Sequence, residues 1–310
     1  MRGLNSVDQG VNQGLGQGLS HLTRRACLAG GASLLALPAW ATAPKRRIVS
    51  IGGALTETFF ALGAQADLVG ADTTSLFPAA AQKLPSVGYA RALSAEGVLS
   101  LRPTLIVATQ DAGPPAVMRQ LEGARVPTVV VDADHRAEGV FMRTQRVAEL
   151  CGRADAGRAL VMELQRAWTQ TRDIVAQRVQ QQGAVKPAPR VLFALSHSMS
   201  QMRVSGAGTA ASAMIDYAGG VNALSGFDGY KPLTPEASIA AAPDVILVTD
   251  QGLAAAGGID GLLKAPGLGQ TPAGRGRRVV TLDALFMLGF GPRLPQAVTA
   301  LAQALHGRPA

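Results

Sequence analysis

The sequence predicts an α/β protein with two Rossmann-like lobes, each built on a mostly parallel sheet, joined by one long α-helix and separated by a ligand cleft. Three observations lead to this prediction. Short β-branched runs alternate with helical patterns in the first half of the chain, the same plan returns in the second half, and one long helical pattern lies between them. The 310 residues are 47% hydrophobic and 16% charged, which is typical of a globular protein with a sizeable core.

The first segment, residues 1–41, has the pattern of an export signal. Arg24 and Arg25 precede an apolar run at 29–39, which is shorter than the roughly 20 residues that span a bilayer. The small residues around Trp40 predict cleavage after Ala41. The paired arginines resemble a twin-arginine signal, and the general secretory route stays open. We therefore expect a periplasmic mature protein.

The charge and cysteine content exclude several classes of function. Removal of the signal takes away three arginines and one aspartate and lowers the formal charge from +8 to +6. The chain has no long Lys/Arg run, since its basic clusters at 45–47 and 275–278 hold three residues each, so nucleic acid is not an expected partner. Cys27 and Cys151 have no metal-ligand spacing around them, which argues against zinc, iron-sulfur and disulfide frameworks. An acidic small ligand agrees better with the basic surface.

The N-terminal lobe, predicted at 42–153, reads as a repeat of strands and helices. Its β-branched runs predict strands at 48–51, 68–70, 104–107 and 128–131. Its helical patterns predict helices at 56–62, 115–122 and 140–150. Strands that alternate with helices form parallel sheets, because each helix returns the chain to the starting edge.

The interlobe helix, predicted at 154–183, and the C-terminal lobe, predicted at 184–310, complete the fold. Apolar residues from Leu160 to Val179 recur every three or four positions, the period of an amphipathic helix. Such a helix would be about 42 Å long at 1.5 Å per residue, enough to cross two lobes. The C-terminal lobe has strand patterns at 191–195, 245–248 and 279–282.

An internal repeat relates the two lobes. Ser94-Ala95-Glu96 precedes Pro103 and an apolar strand, and Thr234-Pro235-Glu236 precedes Pro243 and another, with seven residues from Glu to Pro each time. Both predict a Ser/Thr-capped short helix. One such Glu supports the first turn of its helix, but two at matching places indicate a shared surface role.

The chain resembles the periplasmic haem-binding proteins of bacterial ABC haem importers, within the cobalamin- and siderophore-type substrate-binding proteins whose lobes are joined by one helix. The stretches that carry this resemblance are 48–57, 85–96, 206–211, 219–223 and 229–236. The resemblance implies a monomer that binds haem in its cleft through one tyrosine of the N-terminal lobe. It also implies docking onto arginines of the membrane permease through one acidic residue per lobe, which here are Glu96 and Glu236.

Tyr89 is the residue that matches the haem-iron ligand. Ferric iron is a hard cation that prefers an anionic oxygen, and a phenolate is one of the axial ligands that proteins use for haem. A free tyrosine loses its proton only near pH 10. Arg91, two residues further on, can favour the phenolate by charge attraction, and Gly88 lets the backbone pass close to a flat macrocycle.

Further residues are candidates for contacts with the ligand. His197 follows the strand at 191–195, at the edge where open α/β sheets bind ligands, and some relatives in the resembled group contact iron from this lobe. Arg203 and Lys231 can pair with the haem propionates, and Tyr230 can line the pocket or pack beside Pro232. The sequence indicates surface positions for His135 and His306.

The run from Gly206 to Ala211 matches a GxGxxA dinucleotide fingerprint only weakly, because no strand leads into Asp228. A simpler interpretation is that this run, with Gly206, Gly208 and Thr209, forms a helix N-terminus whose N–H groups bind a propionate. Alternatively, its small residues pack a helix against its sheet. A dinucleotide-dependent enzyme is therefore the weakest alternative, and we expect no catalysis. A ferric-siderophore or cobalamin carrier on the same fold remains open, although it would not require Tyr89 beside Arg91.

Overall fold

The computed structural model describes residues 46–181, 187–195 and 202–307. The predicted export signal therefore lies outside the described residues. Among these residues, the helices are all too short or too polar to cross a membrane. The described chain forms two helix-covered sheets, as the sequence predicts.

The sheet of the N-terminal lobe has four strands, all parallel, in the order β2-β1-β3-β4. Its elements in chain order are β1 (Ile48–Ile51), α1 (Gly53–Ala61), β2 (Leu68–Ala71), α2 (Ala95–Ser100), β3 (Leu105–Thr109), α3 (Pro115–Gly123), β4 (Thr128–Val131) and α4 (Ala137–Leu150). All four residues of β1 are buried. A central parallel strand is covered on both faces, so its continuous apolar sequence is the pattern expected.

A single helix, α5 (Ala154–Gln181), covers both lobes with one buried face. Near its start, Gly157 packs against Ala148 of α4, where a Cβ would approach to 2.3 Å. Further along, the ring of Trp168 meets the ring of Tyr217 edge-on at 4.7 Å between centroids. These two contacts show that α5 packs on the N-terminal lobe near its start and on the C-terminal lobe further along its length.

The C-terminal lobe has a mixed sheet in the order β10-β9-β5-β6-β8, with β7 also paired to β5. Its elements are β5 (Arg190–Leu195), β6 (Arg203–Ser205), α6 (Ala210–Tyr217), β7 (Val221–Asn222), β8 (Tyr230–Pro232), α7 (Pro235–Ala241), β9 (Val245–Thr249), α8 (Asp250–Ala255), α9 (Gly258–Leu262), α10 (Pro272–Arg275), β10 (Val279–Leu282), α11 (Ala284–Leu288) and α12 (Leu294–His306). Strands β10, β9, β5 and β7 are parallel, whereas β6 is antiparallel to both its neighbours.

Two arginines connect the lobes through buried contacts. Arg293, just before α12, donates to both carboxylate oxygens of Glu57 on α1, with Nη2–Oε2 2.9 Å and Nε–Oε1 3.0 Å. Arg143 on α4 donates from Nη2 to the carbonyl oxygen of Phe290 at 2.7 Å. The lobes are thus joined by side-chain contacts as well as by α5.

Candidate functional site

Tyr89 lies in a loop that extends the edge of the N-terminal sheet. After β2, Ala71 donates its N–H to Pro85 O and accepts one from Val87, which holds the returning chain alongside the strand. Gly88 has φ +91°, a region that favours glycine, and its carbonyl accepts from the N–H of Thr73. The side chain of Tyr89 is 43% exposed. The loop therefore presents the phenol to solvent on a backbone that the sheet holds in place.

Arg91 contacts two partners at once. Its Nη1 lies 3.2 Å from Tyr89 Oη, and its Nε and Nη2 lie 2.9 and 2.5 Å from Asp111 Oδ2. Burial lowers the pKa of Arg91, but the hydrogen bond and charge of Asp111 outweigh it, so the pKa is raised overall. The sequence predicts the partnership of Tyr89 and Arg91 but misses Asp111. The signal that could have found it is its place just beyond the carboxyl end of β3, where ligand sites of α/β sheets form.

Tyr230, on β8 of the C-terminal lobe, faces this group from the other side of the cleft. Burial raises its pKa, while the nearby Thr209 side chain and the positive charge of Arg91 act in the opposite direction. Its ring also packs edge-on to Phe193 at 6.5 Å between centroids. Tyr230 thus packs on Phe193 of the core and lies close enough to Arg91 to feel its charge, and its role in lining a ligand pocket stays a prediction.

The glycine-rich run leads into α6, with Thr209 as the N-cap. The Thr209 hydroxyl accepts from the N–H of Ser212 at 3.0 Å. The N–H of Gly206 donates to Gly229 O at 2.7 Å, and a Cβ at Gly206 would lie 2.1 Å from Phe227 O. Gly206 thus serves close packing, which leaves Gly208 and Thr209 as the residues of this run predicted to contact a propionate.

The two predicted propionate partners of the C-terminal lobe lie on different faces of its sheet. Arg203 on β6 donates to the carbonyl oxygen of Tyr230. Lys231 places its ammonium 4.8 Å from the centre of the Phe227 ring. Because alternate residues of a strand point to opposite faces, Lys231 is directed away from Tyr230. Arg203, which lies opposite Pro232 in the pairing of β6 with β8, shares the sheet face of Tyr230.

The histidines give mixed outcomes. His197 lies outside the described residues, so its role stays a prediction. The interpretation of His135 and His306 as surface residues is wrong. His135 is half-buried, with its ring 5.2 Å from the Phe290 ring, and His306 contacts the carbonyl oxygen of Ala218 through Nε2 at 2.8 Å. His135 lies between β4 and α4 and His306 at the end of α12, and both contact residues distant in sequence, which a local pattern does not reveal.

Glu96 and Glu236 occupy equivalent positions in the two lobes. Each is exposed in the first turn of a short helix, α2 or α7, whose N-cap hydroxyl accepts a backbone N–H: Ser94 from Gly97 at 3.3 Å and Thr234 from Ala237 at 3.2 Å. A helix that leads into a parallel strand begins at the edge where the strands end. Both carboxylates therefore lie on the side of their sheet that carries the cleft.

A cavity of about 250 Å³ lies at the junction of the lobes, lined by Leu76, Phe77, Asp283, Phe286 and Arg293. The Arg293 guanidinium stacks on the ring of Phe77 at 3.6 Å and lies 5.0 Å from the ring of Phe286. Leu76 and Phe77 are each about 40% exposed. Both lobes thus contribute to the cavity walls, which combine apolar side chains with the charged Asp283 and Arg293.

Known proteins share this arrangement. Residues 48–285 match the family described as periplasmic binding proteins. The solved periplasmic haem-binding protein BhuT, in complex with two haems, is 54% identical, with a TM-score of 0.79 over 84% of this chain and 98% of that one. RhuT, a periplasmic haem-binding protein from Roseiflexus sp. RS-1, is 41% identical, with a TM-score of 0.80 over the same shares.

A more distant relative has a different ligand. The vitamin B12-binding protein of Yersinia pestis is 33% identical, but the match covers 33% of this chain and 36% of that protein. The family match spans both sheets and α5, whereas this resemblance covers about a third of either chain. On the strength of the match over 48–285, this chain belongs to the periplasmic binding protein family.

Proposed function

We propose that this protein binds ferric haem in the cleft between its lobes and delivers it to an inner-membrane ABC transporter for haem and iron uptake. The observation that carries the proposal is the hydrogen bond between Tyr89 and Arg91 at an exposed position of the cleft. The periplasmic haem-binding proteins named above support the ligand class. Like the rest of its family, the protein is a binding protein and not an enzyme.

The chemistry of the site assigns each residue a task. The Tyr89 phenolate binds the iron, and the Arg91 guanidinium stabilises its negative charge because opposite charges in contact attract. Arg203 can form a bidentate pair with a propionate, and Gly208 and Thr209 can hydrogen-bond one, whereas Lys231, on the opposite face of β8 from Tyr230, is the least suited of the predicted partners. Tyr230 lines the pocket from the C-terminal lobe, and His197 is a second proposed contact to iron.

Replacement of each tyrosine in turn tests the ligand assignment, because the chain has three. Tyr89→Phe should abolish the phenolate-to-iron charge-transfer band of the ferric haem complex and weaken binding at least tenfold. Tyr217→Phe is the matched control, since Tyr217 packs against Trp168 and its hydroxyl accepts from the N–H of Ala137. A charge-transfer band that survives in Tyr89→Phe and disappears in Tyr230→Phe would overturn the assignment.

The same titration separates haem from the other ligands of this fold. A ferric siderophore or cobalamin carrier should bind those compounds more tightly than haem and should not depend on Tyr89. We therefore expect the purified protein to prefer ferric haem over cyanocobalamin and over a ferric catecholate. Preference for either competitor would sink the proposal.

Docking onto the permease is the part of the proposal that concerns Glu96 and Glu236. Both carboxylates are exposed at the cleft side of their lobes. A membrane partner with two arginines can reach them there. The double variant Glu96→Lys and Glu236→Lys should bind haem normally and fail to support haem uptake in cells. Glu163→Lys, an exposed position on α5, is the charge-matched control. Normal uptake by the double variant would contradict the docking role.

Membership of the family places the protein outside the cytoplasm. Removal of residues 1–41 at Ala41 and a monomeric state remain part of the proposal, as do the boundaries 42–153, 154–183 and 184–310. Mass spectrometry of the protein recovered from a periplasmic fraction gives the cleavage site directly. A mature chain that begins at Thr42 is the expected result.

A further inference from the structure

Asp111 accepts hydrogen bonds from one edge of the Arg91 guanidinium, and the remaining nitrogen, Nη1, donates to Tyr89. Nε and Nη2 both donate to Asp111 Oδ2, at 2.9 and 2.5 Å, whereas Nη1 donates to Tyr89 Oη at 3.2 Å. The guanidinium is planar and its donors have a fixed geometry. Once the Asp111 edge is engaged, the direction of Nη1 is therefore fixed as well.

The position of Asp111 is itself determined by the sheet. It follows β3 by two residues, and the N–H groups on either side of it are hydrogen-bonded: Gln110 N–H donates to Val131 O at 3.1 Å and Ala112 N–H to Thr109 O at 2.9 Å. Thr109 sits against Gly52, where a Cβ would lie 2.5 Å from Thr109 Cγ2. Burial raises the pKa of Asp111, but Thr109 and Arg91 together lower it further than burial raises it. The carboxylate is thus charged at neutral pH and held by the end of a central strand.

Without its contact to Asp111, Arg91 would have few contacts that fix its side-chain conformation. Its side chain is 62% exposed, and long exposed side chains occupy many rotamers. Tyr89 alone offers a single neutral acceptor, which is a weaker partner for a guanidinium than a carboxylate. The hydrogen bond from Arg91 to Tyr89 therefore depends on the rotamer that Asp111 selects.

We propose that Asp111 is a positioning residue of the site: it holds Arg91 Nη1 against Tyr89 Oη so that the guanidinium stabilises the phenolate. This inference rests on the proposed function, in which that phenolate binds ferric haem. Asp111 does not touch the iron ligand itself and acts through Arg91.

Positioning and simple charge repulsion predict opposite results when Asp111 is removed. A negative charge near a phenolate disfavours it, so loss of the carboxylate alone would extend phenolate ligation to lower pH. If the carboxylate positions Arg91, its loss instead moves the acid transition of the complex to higher pH. The other groups that interact with this pair are His135 after β4, which feels the charge of Asp111, and Tyr230 on β8, which feels that of Arg91.

The experiment is a pH titration of the ferric haem complex of the purified protein, followed by the phenolate-to-iron charge-transfer band. In Asp111→Ala, the midpoint of the acid transition should rise by about half a pH unit, the size of a typical exposed ion pair. Asp111→Asn keeps an acceptor for Arg91 and should give a smaller rise. Asp155→Ala, which removes the carboxylate of an exposed pair with Arg158 on α5, should leave the midpoint unchanged.

The outcomes separate this inference from the proposed function. An unchanged or lower midpoint in Asp111→Ala overturns the positioning role while ligation by Tyr89 stands. The absence of a charge-transfer band in the wild-type complex overturns the proposed function itself. Should Asp111→Ala fail to fold, Asp111→Asn decides by the direction of its shift, since a downward shift supports charge repulsion alone.

Discussion

Two arginine–carboxylate pairs, each formed through Nε and Nη2 of the arginine, lie in very different surroundings. Arg91 and Asp111, in the candidate site, approach to 2.5 Å with side chains that are 62% and 44% exposed. Arg293 and Glu57, between the lobes, approach to 2.9 Å with side chains that are 24% and 5% exposed. Water screens the first pair and scarcely reaches the second. Burial, rather than contact distance, therefore decides whether such a pair acts on stability or on a ligand.

The buried region is also the more densely connected of the two. Glu57 accepts from the backbone N–H of Arg293 at 3.2 Å in addition to the two guanidinium bonds. Arg143 donates to the carbonyl oxygens of Asp132, Asp134 and Phe290. The bond to Phe290 is buried, and the bonds of Arg143 to Asp132 and Asp134 and of Arg293 to Glu57 are partly buried. We infer that this region fixes how the lobes meet, whereas the exposed region adapts to a ligand.

The largest expected effect is the loss of stability in Glu57→Gln. An amide can accept only through its oxygen, and its NH₂ group would face a guanidinium that also donates. Breaking a buried pair on one side costs about 3 kcal/mol of the free energy of unfolding, because the remaining charge loses its partner. Urea denaturation measures the change. Asp111→Asn, the matched substitution in the exposed pair, should cost less than about 1 kcal/mol. Equal losses in both variants would break the comparison.

A somewhat smaller loss is expected in Arg143→Met. Methionine keeps much of the apolar stem but donates nothing to the three carbonyl oxygens. Leaving buried acceptors without partners should lower the free energy of unfolding by about 2 kcal/mol. Arg146→Met, on the exposed side of the same helix, controls for helix propensity and should stay within about 0.5 kcal/mol of the wild type. A neutral Arg143→Met would show that the buried region is not held by this side chain.

Arg91→Lys should show the reverse pattern, with little change in stability and a measurable change in binding. Lysine keeps the positive charge but cannot span Tyr89 and Asp111 with a rigid fork. We expect ferric haem to bind roughly fivefold more weakly, about 1 kcal/mol, in an absorbance titration. Arg158→Lys on α5 should bind haem as the wild type does. Wild-type affinity in Arg91→Lys would mean that charge alone suffices and that the geometry of the exposed pair is irrelevant.

The sequence predicts the local parts of both regions and misses their long-range partners. The β-branched runs predict β1, β4 and β10 to the residue: β1 is fully buried, and β4 and β10, at the edges of their sheets, are partly exposed but keep the β-branched residues that favour strands. The two- and three-residue strands β6, β7 and β8 were not predicted, since their pairing depends on neighbours distant in sequence. Short strands carry too few residues for a periodic pattern.

The same limit applies to the site. Tyr89 and Arg91 are two residues apart, so their contact could be inferred from the sequence. Asp111 is 20 residues from Arg91, and Glu57 is 236 residues from Arg293. The place of Asp111 after β3 marks it as a candidate for the site, but nothing in the local pattern pairs it with Arg91 or pairs Glu57 with Arg293. Only the parallel order of β1 and β3, and the return of the chain to α12, bring them to their arginines.

The smallest expected effect concerns His135, which touches both regions. Burial lowers its pKa from the ordinary 6.5, and the charge of Arg143 lowers it further, while Asp134 and Asp111 act in the opposite direction. Because the folded state binds the proton less tightly than the unfolded state, this contribution to stability is present above pH 6.5. It is lost as the pH falls from 6.5 through the lowered folded value.

His135→Phe keeps a ring against Phe290 and removes the titration. Its urea midpoint should therefore fall less than that of the wild type between about pH 8 and pH 5.5, with similar values at the upper end. A second step joins the two regions: Asp111→Asn removes one of the charges that raise the His135 pKa, so a proton NMR titration of that variant should show a still lower pKa. An unchanged His135 pKa in Asp111→Asn would mean that the exposed pair and the buried contacts are electrostatically independent of each other.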